Sequence, residues 1–474
     1  MEIFIMNCII ENDFYMYKNN YFKYNVKLDL DWLTYRPKND SETENSEVKI
    51  SIREIAGCSL MRSTKNEKKE VFLKICSYFL DGSDSKKKRR RKVAIFEISY
   101  DRSFEGNLQL ANKWRSLIYY AMYFSRGSFP PLFKVKKNLL IFINPKSGPG
   151  IALKIFEERV KPMLSETEVE YDLCVTNHAN HAFEIVQHKD LKTYAGIISI
   201  AGDGLIFEIL NGLNQRSDRE EALSIPIGVI PGGSGNAFAN SIGRLNNEPY
   251  LSNPVLVSTL NVVNPVASPL DLIHIQTFKG MSSPLNLCHF ILALPRCLTP
   301  SSFAERRREF SKNVILIRFK RVQNDLISFL SIGLGILADI DIDSEKLRAI
   351  GETRFTLYGI AKILRDFILI YATNMPYINS SNLFSPKSKL DDGVLWLCYV
   401  KDNYSRAFWL KFLMAMDNGT HVDLPGVTYI PVTGLRIVPL CSSGKITIDG
   451  ELIEFGPLHA TVLPQKGRYM VRRP

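Results

Sequence analysis

The chain has 474 residues, 45% of them hydrophobic and 23% charged, with eight cysteines and a formal net charge of +11. That length exceeds one ordinary core and implies two or three domains, while the balance excludes a disordered or fibrous chain. The cysteines are scattered with no C-x-x-C pair, which argues against zinc sites and a disulfide framework and favours a reducing compartment.

The opening Met-Glu is followed by a short apolar run without a basic region or a small-residue cleavage site, so no signal peptide is expected. The apolar stretches 286–294 and 329–338 reach about half of the ~20 residues needed to span a bilayer. Any membrane contact is therefore expected to be peripheral. Seven basic residues, Lys86 to Lys92, are contiguous, and without them the net charge falls to +4. The excess is local, so no nucleic-acid partner is expected. The run reads as a solvated loop between strands, as a patch for anionic headgroups worth about 1 kcal/mol per residue, or as a nuclear import signal.

Residues 1–127 form short alternating segments (48–55, 71–77, 93–99) closed by an amphipathic helix over 108–124, with Trp114, Leu117, Ile118 and Ala121 on one face. This pattern resembles a pleckstrin-homology-like module, and a small sheet domain of another kind fits it as well. Gly127, Pro130 and Pro131 mark a boundary. From residue 138, continuous apolar runs (139–143, 170–175, 196–201, 227–230) alternate with helical stretches. Such runs imply a parallel sheet covered on both faces, assigned to 136–262. Residues 263–474 are strand-rich (270–277, 314–319, 394–400, 428–430, 435–439, 446–448, 461–463), with helices near 344–364 and 404–416. The expectation is an antiparallel β-sandwich, with the cleft between it and the α/β domain.

Three glycine-rich turns each follow a buried strand: Asn144 to Gly150, Gly202-Asp203-Gly204, and Pro231 to Asn236. Such turns gather at the carboxyl ends of parallel strands, where backbone N–H groups and helix N-termini favour a polyphosphate. None is a Walker A loop or a dinucleotide fingerprint. One such turn alone is more often simply a tight turn. Asp203, flanked by glycines, is either a helix N-cap or a base for a hydroxyl attacking a γ-phosphorus. Asp339, Asp341 and Asp343 alternate, so they share one side if the segment is a strand. They then form a solvated strand face, a metal cluster, or a site for a cationic amine. His178 and His181 stand at a helix start with no third ligand nearby, so a metal site there is not expected.

The three turns in this order, the stretch from Ile200 to Leu213, the acidic segment Ala338 to Lys346 and Ile448-Asp449-Gly450-Glu451 resemble the diacylglycerol kinase and sphingosine kinase superfamily from about residue 138 to 470. The resemblance implies an ATP- and Mg²⁺-dependent kinase that phosphorylates the primary hydroxyl of a sphingoid base to give sphingosine 1-phosphate. Ceramide or diacylglycerol kinase activity, or lipid binding without turnover, are the alternatives. Asp203 would be the general base. Asn144, Ser147, Gly148, Gly150, Thr176, Gly202, Gly204, Gly233, Ser234, Gly235, Asn236, Arg348, Arg354 and Glu451 would hold the nucleotide. Asp341 would take the polar head, its amine and secondary hydroxyl, with Ser331 alongside, and Ile336, Phe355, Leu413, Met416 and Val427 the alkyl chain. Asp449 would reach Mg²⁺ through water. The resemblance also implies a cytoplasmic, peripherally membrane-associated protein with a nuclear pool through Lys86 to Lys92, and it is compatible with a homodimer. Three departures stand out: Pro149 and Ile151 where lysines are common, Ala201 in place of a serine, and an extra segment over 280–326.

Overall fold

A computed structural model describes residues 8–17, 19–38, 47–62, 69–83, 87–125, 138–278, 290–293, 322–344, 369–400, 404–439 and 443–472. The sequence begins with seven antiparallel strands: β1 (Ile10–Met16), β2 (Asn19–Leu28), β3 (Trp32–Pro37), β4 (Val48–Ser51), β5 (Ile55–Arg62), β6 (Val71–Asp81) and β7 (Lys88–Ile98). They lie in the order β4-β3-β2-β1-β7-β6-β5. Helix α1 (Phe104–Ser125) closes the sheet, because Trp114, Ile118 and Ala121 fall on one stripe and bury fully against Phe96, Leu33 and Ile75. Trp114 Nε1 donates to Asn12 Oδ1 at 2.9 Å.

The basic run is not a loop. From Lys88 it is strand β7, paired with β6 from Asp81↔Lys88 to Val71↔Ile98. Alternation along the strand sends its charges to different partners. Arg89 is clamped to Glu248 of the next domain by bonds of 2.9 and 2.6 Å, with both side chains under 8% exposed. Arg91 binds Glu166, which also receives Lys74 at 3.4 Å and the Tyr78 hydroxyl at 3.3 Å. Arg90 pairs with Asp81 of its own hairpin. Three of the run's cations are therefore paired within the chain, Arg89 in the interior and Arg90 and Arg91 at the surface.

In the second unit β8 (Asn138–Ile143), β9 (Tyr171–Val175), β10 (Tyr194–Ala201) and β11 (Pro226–Pro231) are parallel, in the order β9-β8-β10-β11. Alternate residues of β8 feed two cores: Leu140 and Phe142 one, Leu139, Ile141 and Ile143 the other. Both faces are thus covered, as the unbroken apolar runs require. Between β8 and β9 the chain is helical from α2 (Ala152–Ile155) through a π turn (Phe156–Val160) to α3 (Lys161–Glu166). Helix α4 (His181–His188) precedes β10, and α5 (Asp203–Asn214) and α6 (Arg219–Ala222) lead to β11. Helices α7 (Ala237–Leu245) and α8 (Pro254–Val263) complete the layer.

The remainder is a two-sheet sandwich joined to the parallel sheet by one strand. β12 (Val266–Phe278), β13 (Phe290–Ala293), β14 (Val322–Ser328), β19 (Gly434–Pro439) and the 14-residue β22 (Leu458–Val471) extend the first sheet. The end of β22 pairs in parallel with β11, at Pro226↔Arg468, while its body pairs antiparallel with β12 and β19. The facing sheet runs β18-β17-β16-β15-β20-β21, from β15 (Ser331–Gly335), β16 (Leu369–Thr373), β17 (Leu395–Val400), β18 (Val427–Val432), β20 (Ile446–Ile448) and β21 (Glu451–Ile453). Ile273, Ile275, Ile332, Leu334, Leu395 and Ile446 fill the space between. Helices α9 (Ile336–Asp343) and α10 (Arg406–Ala415) cover an outer layer. The strand expected at 314–319, most of the helix expected at 344–364 and most of the extra segment lie outside the described residues.

Candidate functional site

The three glycine turns pack on one another. Gly148 has φ +51°, and a Cβ on it would sit 2.6 Å from the Ser234 nitrogen and 2.7 Å from the Gly233 carbonyl carbon. A Cβ on Gly202 would sit 2.7 Å from the Gly235 carbonyl oxygen, and one on Gly233 2.5 Å from Gly202. Glycine is required here for close approach as well as for conformation. Ser147 Oγ accepts from the Gly202 N–H at 2.9 Å, which ties the first turn to the second. Asn236 accepts from the Gly233 N–H at 3.2 Å and donates back to the Gly233 carbonyl at 2.8 Å, which shapes the third.

Asp203 is the first residue of α5, and it does not cap its own helix. Its carboxylate instead accepts from the N–H groups of Ala237 (2.7 Å) and Phe238 (3.2 Å), at the N-terminus of α7. Two backbone donors thus fix the orientation of a carboxylate that is 7% exposed. The capping expected of a residue in this position exists, but on a neighbouring helix.

A cavity of about 760 Å³ opens from these turns toward the sandwich. Asn144, Ser147, Gly148, Thr176, Gly202, Asp203, Gly204, Ser234, Gly235 and Glu451 line one end. Gly150, Gly233 and Asn236, expected at the same site, are not among the residues that line the cavity. Ser331, Asp341, Leu413 and Met416 line the other end. Ile336 is buried in the cluster beneath α9 and α10, against which Val427 packs, and neither lines the cavity. Arg348, Arg354 and Phe355 lie outside the described residues.

The D-I-D-I-D segment is the last turn and a half of α9, not a strand, so its three carboxylates do not share a side. Residues 337, 340 and 341 follow helical i, i+3, i+4 spacing, and Leu337, Ile340 and Asp341 line the cavity. Asp339 and Asp343, four apart, both face Lys445, the first at 3.8 Å. The alternation concealed a division of labour: one carboxylate for the cavity and two for an anchor.

Asp449 is buried, with φ +53°. Its carboxylate accepts from Ser328 Oγ (2.6 Å) and from the N–H groups of Phe329 (3.1 Å), Leu330 (3.0 Å) and Ser331 (2.8 Å). Burial pushes its carboxyl up, to about 7, against the pull of those four hydrogen bonds. It anchors the turn that presents Ser331. No group of three or more His, Cys, Asp or Glu side chains that could hold a metal ion occurs among the described residues. The rings of His178 and His181 lie 4.7 Å apart with their planes tilted by 37°, and His178 lines the cavity with the adjacent Asn177 and Ala179.

Glu208 and Tyr371 are among the lining residues that escaped the sequence reading. Glu208 projects from α5 one turn after Gly204, and burial raises its carboxyl. Its spacing of four from Gly204 was the available signal. Tyr371 of β16 is 4% exposed and donates its hydroxyl to Ser331 Oγ at 2.9 Å. An aromatic in an apolar strand gives no such signal.

Residues 138–266 match the model of the diacylglycerol kinase catalytic domain, and residues 346–470 match that of the YegS C-terminal NAD kinase beta sandwich-like domain. The chain is similar to sphingosine kinase 1 of Homo sapiens, 26% identical over 396 residues that cover 72% of this chain and 91% of that protein. It is likewise similar to sphingosine kinase 1 of Arabidopsis thaliana, 26% identical over 68% of this chain and 69% of the relative. Sphingoid long chain base kinase 4 of Schizosaccharomyces pombe is 25% identical over 70% of this chain and 75% of its own length.

Proposed function

This chain belongs to the lipid-kinase family that carries the diacylglycerol kinase catalytic domain, and from that membership we propose that it transfers the γ-phosphoryl group of ATP to the primary hydroxyl of a sphingoid base. The observation that carries the reading is the cavity itself, with Asp203 among glycine turns at one end and Asp341 beside an apolar lining at the other. The relatives' names point to the same acceptor.

In this reading the backbone of the glycine turns cradles the phosphates, and Asn144, Thr176 and Ser234 flank the nucleotide. Asp203, held by α7, accepts the hydroxyl proton as that oxygen attacks the γ-phosphorus and the bond to the departing ADP breaks. Asp341 accepts hydrogen bonds from the ammonium of the base, and Leu413 and Met416 lie along the alkyl chain. A soft thioether suits a flexible chain. A Mg²⁺ ion carried in on the phosphates would keep most of its waters and would supply charge neutralisation on the transferring group. Asp449, with both carboxylate oxygens already engaged, would meet it only through water.

The seven-stranded sheet closed by α1 is read as a pleckstrin-homology-like module, on the strength of its antiparallel order and terminal helix. A cytoplasmic protein in peripheral contact with membrane fits the substrate. Arg89 and Arg91 are held by Glu248 and Glu166, which weighs against the basic run as the anchor or as an import signal. Labelled ATP offered with sphingosine, ceramide or diacylglycerol tests the acceptor. Sphingosine is expected to be labelled fastest, and preference for either neutral lipid would overturn the assignment.

A further inference from the structure

Ser331 and Tyr371 sit on adjacent antiparallel strands, with Gly333 opposite Tyr371 in the register. Gly333 makes the contact possible. A Cβ there would stand 3.2 Å from the Tyr371 ring and 2.7 Å from Thr447 Oγ1. The ring lies over the glycine and reaches diagonally to Ser331, where its hydroxyl donates to Oγ at 2.9 Å. Phe384 meets the ring edge-on at 4.8 Å and 63°. Burial, with the carboxylates of Asp341, Asp449 and Asp203 nearby, drives the phenol's pKa strongly upward and keeps it a neutral donor.

A serine hydroxyl has one hydrogen and two acceptor sites. With one acceptor site taken by Tyr371, the hydrogen of Ser331 is free to turn to another acceptor. Its backbone N–H is already held by Asp449 at 2.8 Å, so the residue as a whole cannot swing. Ser331, Asp341 and Tyr371 all line the same end of the cavity.

We infer that Tyr371 is a positioning residue for the lipid head: by donating to Ser331 it fixes the serine as a hydrogen-bond donor toward the secondary hydroxyl of the sphingoid base, beside the amine at Asp341. This rests on the sphingoid-base reading above and adds to it a second determinant of specificity. Asp341 reads the charge, and the Tyr371–Ser331 pair reads the neighbouring oxygen. A base that lacks the secondary hydroxyl leaves the oriented donor without its acceptor, at a cost comparable to a lost buried hydrogen bond.

The test is steady-state phosphorylation of sphingosine and of 3-deoxysphingosine by the full-length protein and its Tyr371→Phe and Ser331→Ala variants. Wild type is expected to favour sphingosine in kcat/KM by about tenfold. In Tyr371→Phe that preference should fall to about twofold or less. KM for sphingosine should rise by about five- to tenfold, with kcat and KM for ATP within about twofold, the pattern of a lost uniform binding contact. Ser331→Ala should show the same loss, and the double variant no more than either single one. Should Tyr371→Phe fold poorly, Ser331→Ala alone reads the discrimination. An undiminished preference in either variant, or additive losses in the double variant, would overturn the inference. Wild type that phosphorylates no sphingoid base would instead overturn the functional reading on which it rests.

Discussion

The two ends of the cavity are built by different means. The end proposed for the phosphates is made of backbone: three turns drawn from residues 144–150, 202–204 and 233–236, which touch because glycines let them. The end proposed for the lipid head is made of side chains held from outside. Ser331 is set by Asp449 and contacted by Tyr371, and Asp341 lies on a helix pinned by Lys445 through Asp339 and Asp343. Backbone cradles suit a phosphate, which any oriented N–H can bind. Discriminating between lipid heads needs groups whose charge and donor sense are individually fixed.

Perturbing each end separately should therefore give separable effects. The largest is expected at Asp203→Asn, which should reduce kcat by about 10²- to 10⁴-fold while sphingosine binding persists. Unchanged turnover would remove Asp203 as the base. Gly148→Ala introduces a side chain at positive φ against the third turn, and it should raise KM for ATP by about tenfold with KM for lipid unchanged. An equal rise for both substrates would dissolve the distinction between the ends. Lys445→Met leaves two carboxylates four apart without their shared cation, which should loosen α9. KM for the lipid is expected to rise about threefold while KM for ATP stays constant.

A smaller, pH-dependent effect belongs to the lipid end. His421 is fully buried between Phe384 and Phe412, at ring distances of 4.9 and 5.0 Å, and burial pushes its imidazole down to about 4. A base with a depressed folded pKa binds its proton in the unfolded chain first. Stability is therefore lost as pH falls from about 6.5 toward 4. Lowering the pH from 7 to 5 should cost about 2 kcal/mol through this group. His421→Phe should remove that part of the slope in denaturant titrations at the two pH values, and an unaltered slope would refute the assignment.

Legibility in the sequence followed the same divide. The parallel strands β8, β10 and β11 could be read because both of their faces are buried, which leaves unbroken apolar runs. The glycine turns could be read because close backbone approach admits few other residues. The acidic alternation misled because a period of two satisfies a strand, whereas here a helix splits the three carboxylates between a lysine and a cavity. Lys445 stands more than a hundred residues from the aspartates it binds, and Tyr371 stands 40 from Ser331. Local pattern carries no trace of such pairings. The long β22 was glimpsed only at residues 461–463. A register shift in its partner between Leu270 and Leu272, with Gln465 at φ +53°, interrupts the alternation of a strand that nonetheless continues into the parallel sheet.

The most direct test of the division between the two ends is the phosphorylation of sphingosine by Asp341→Asn, measured over a range of lipid at saturating ATP. Replacing a charged acceptor for the ammonium by a neutral one should raise KM for sphingosine by about ten- to a hundredfold and leave kcat within a few-fold. An unchanged KM, or a loss confined to kcat, would contradict the assignment of Asp341 to the lipid head.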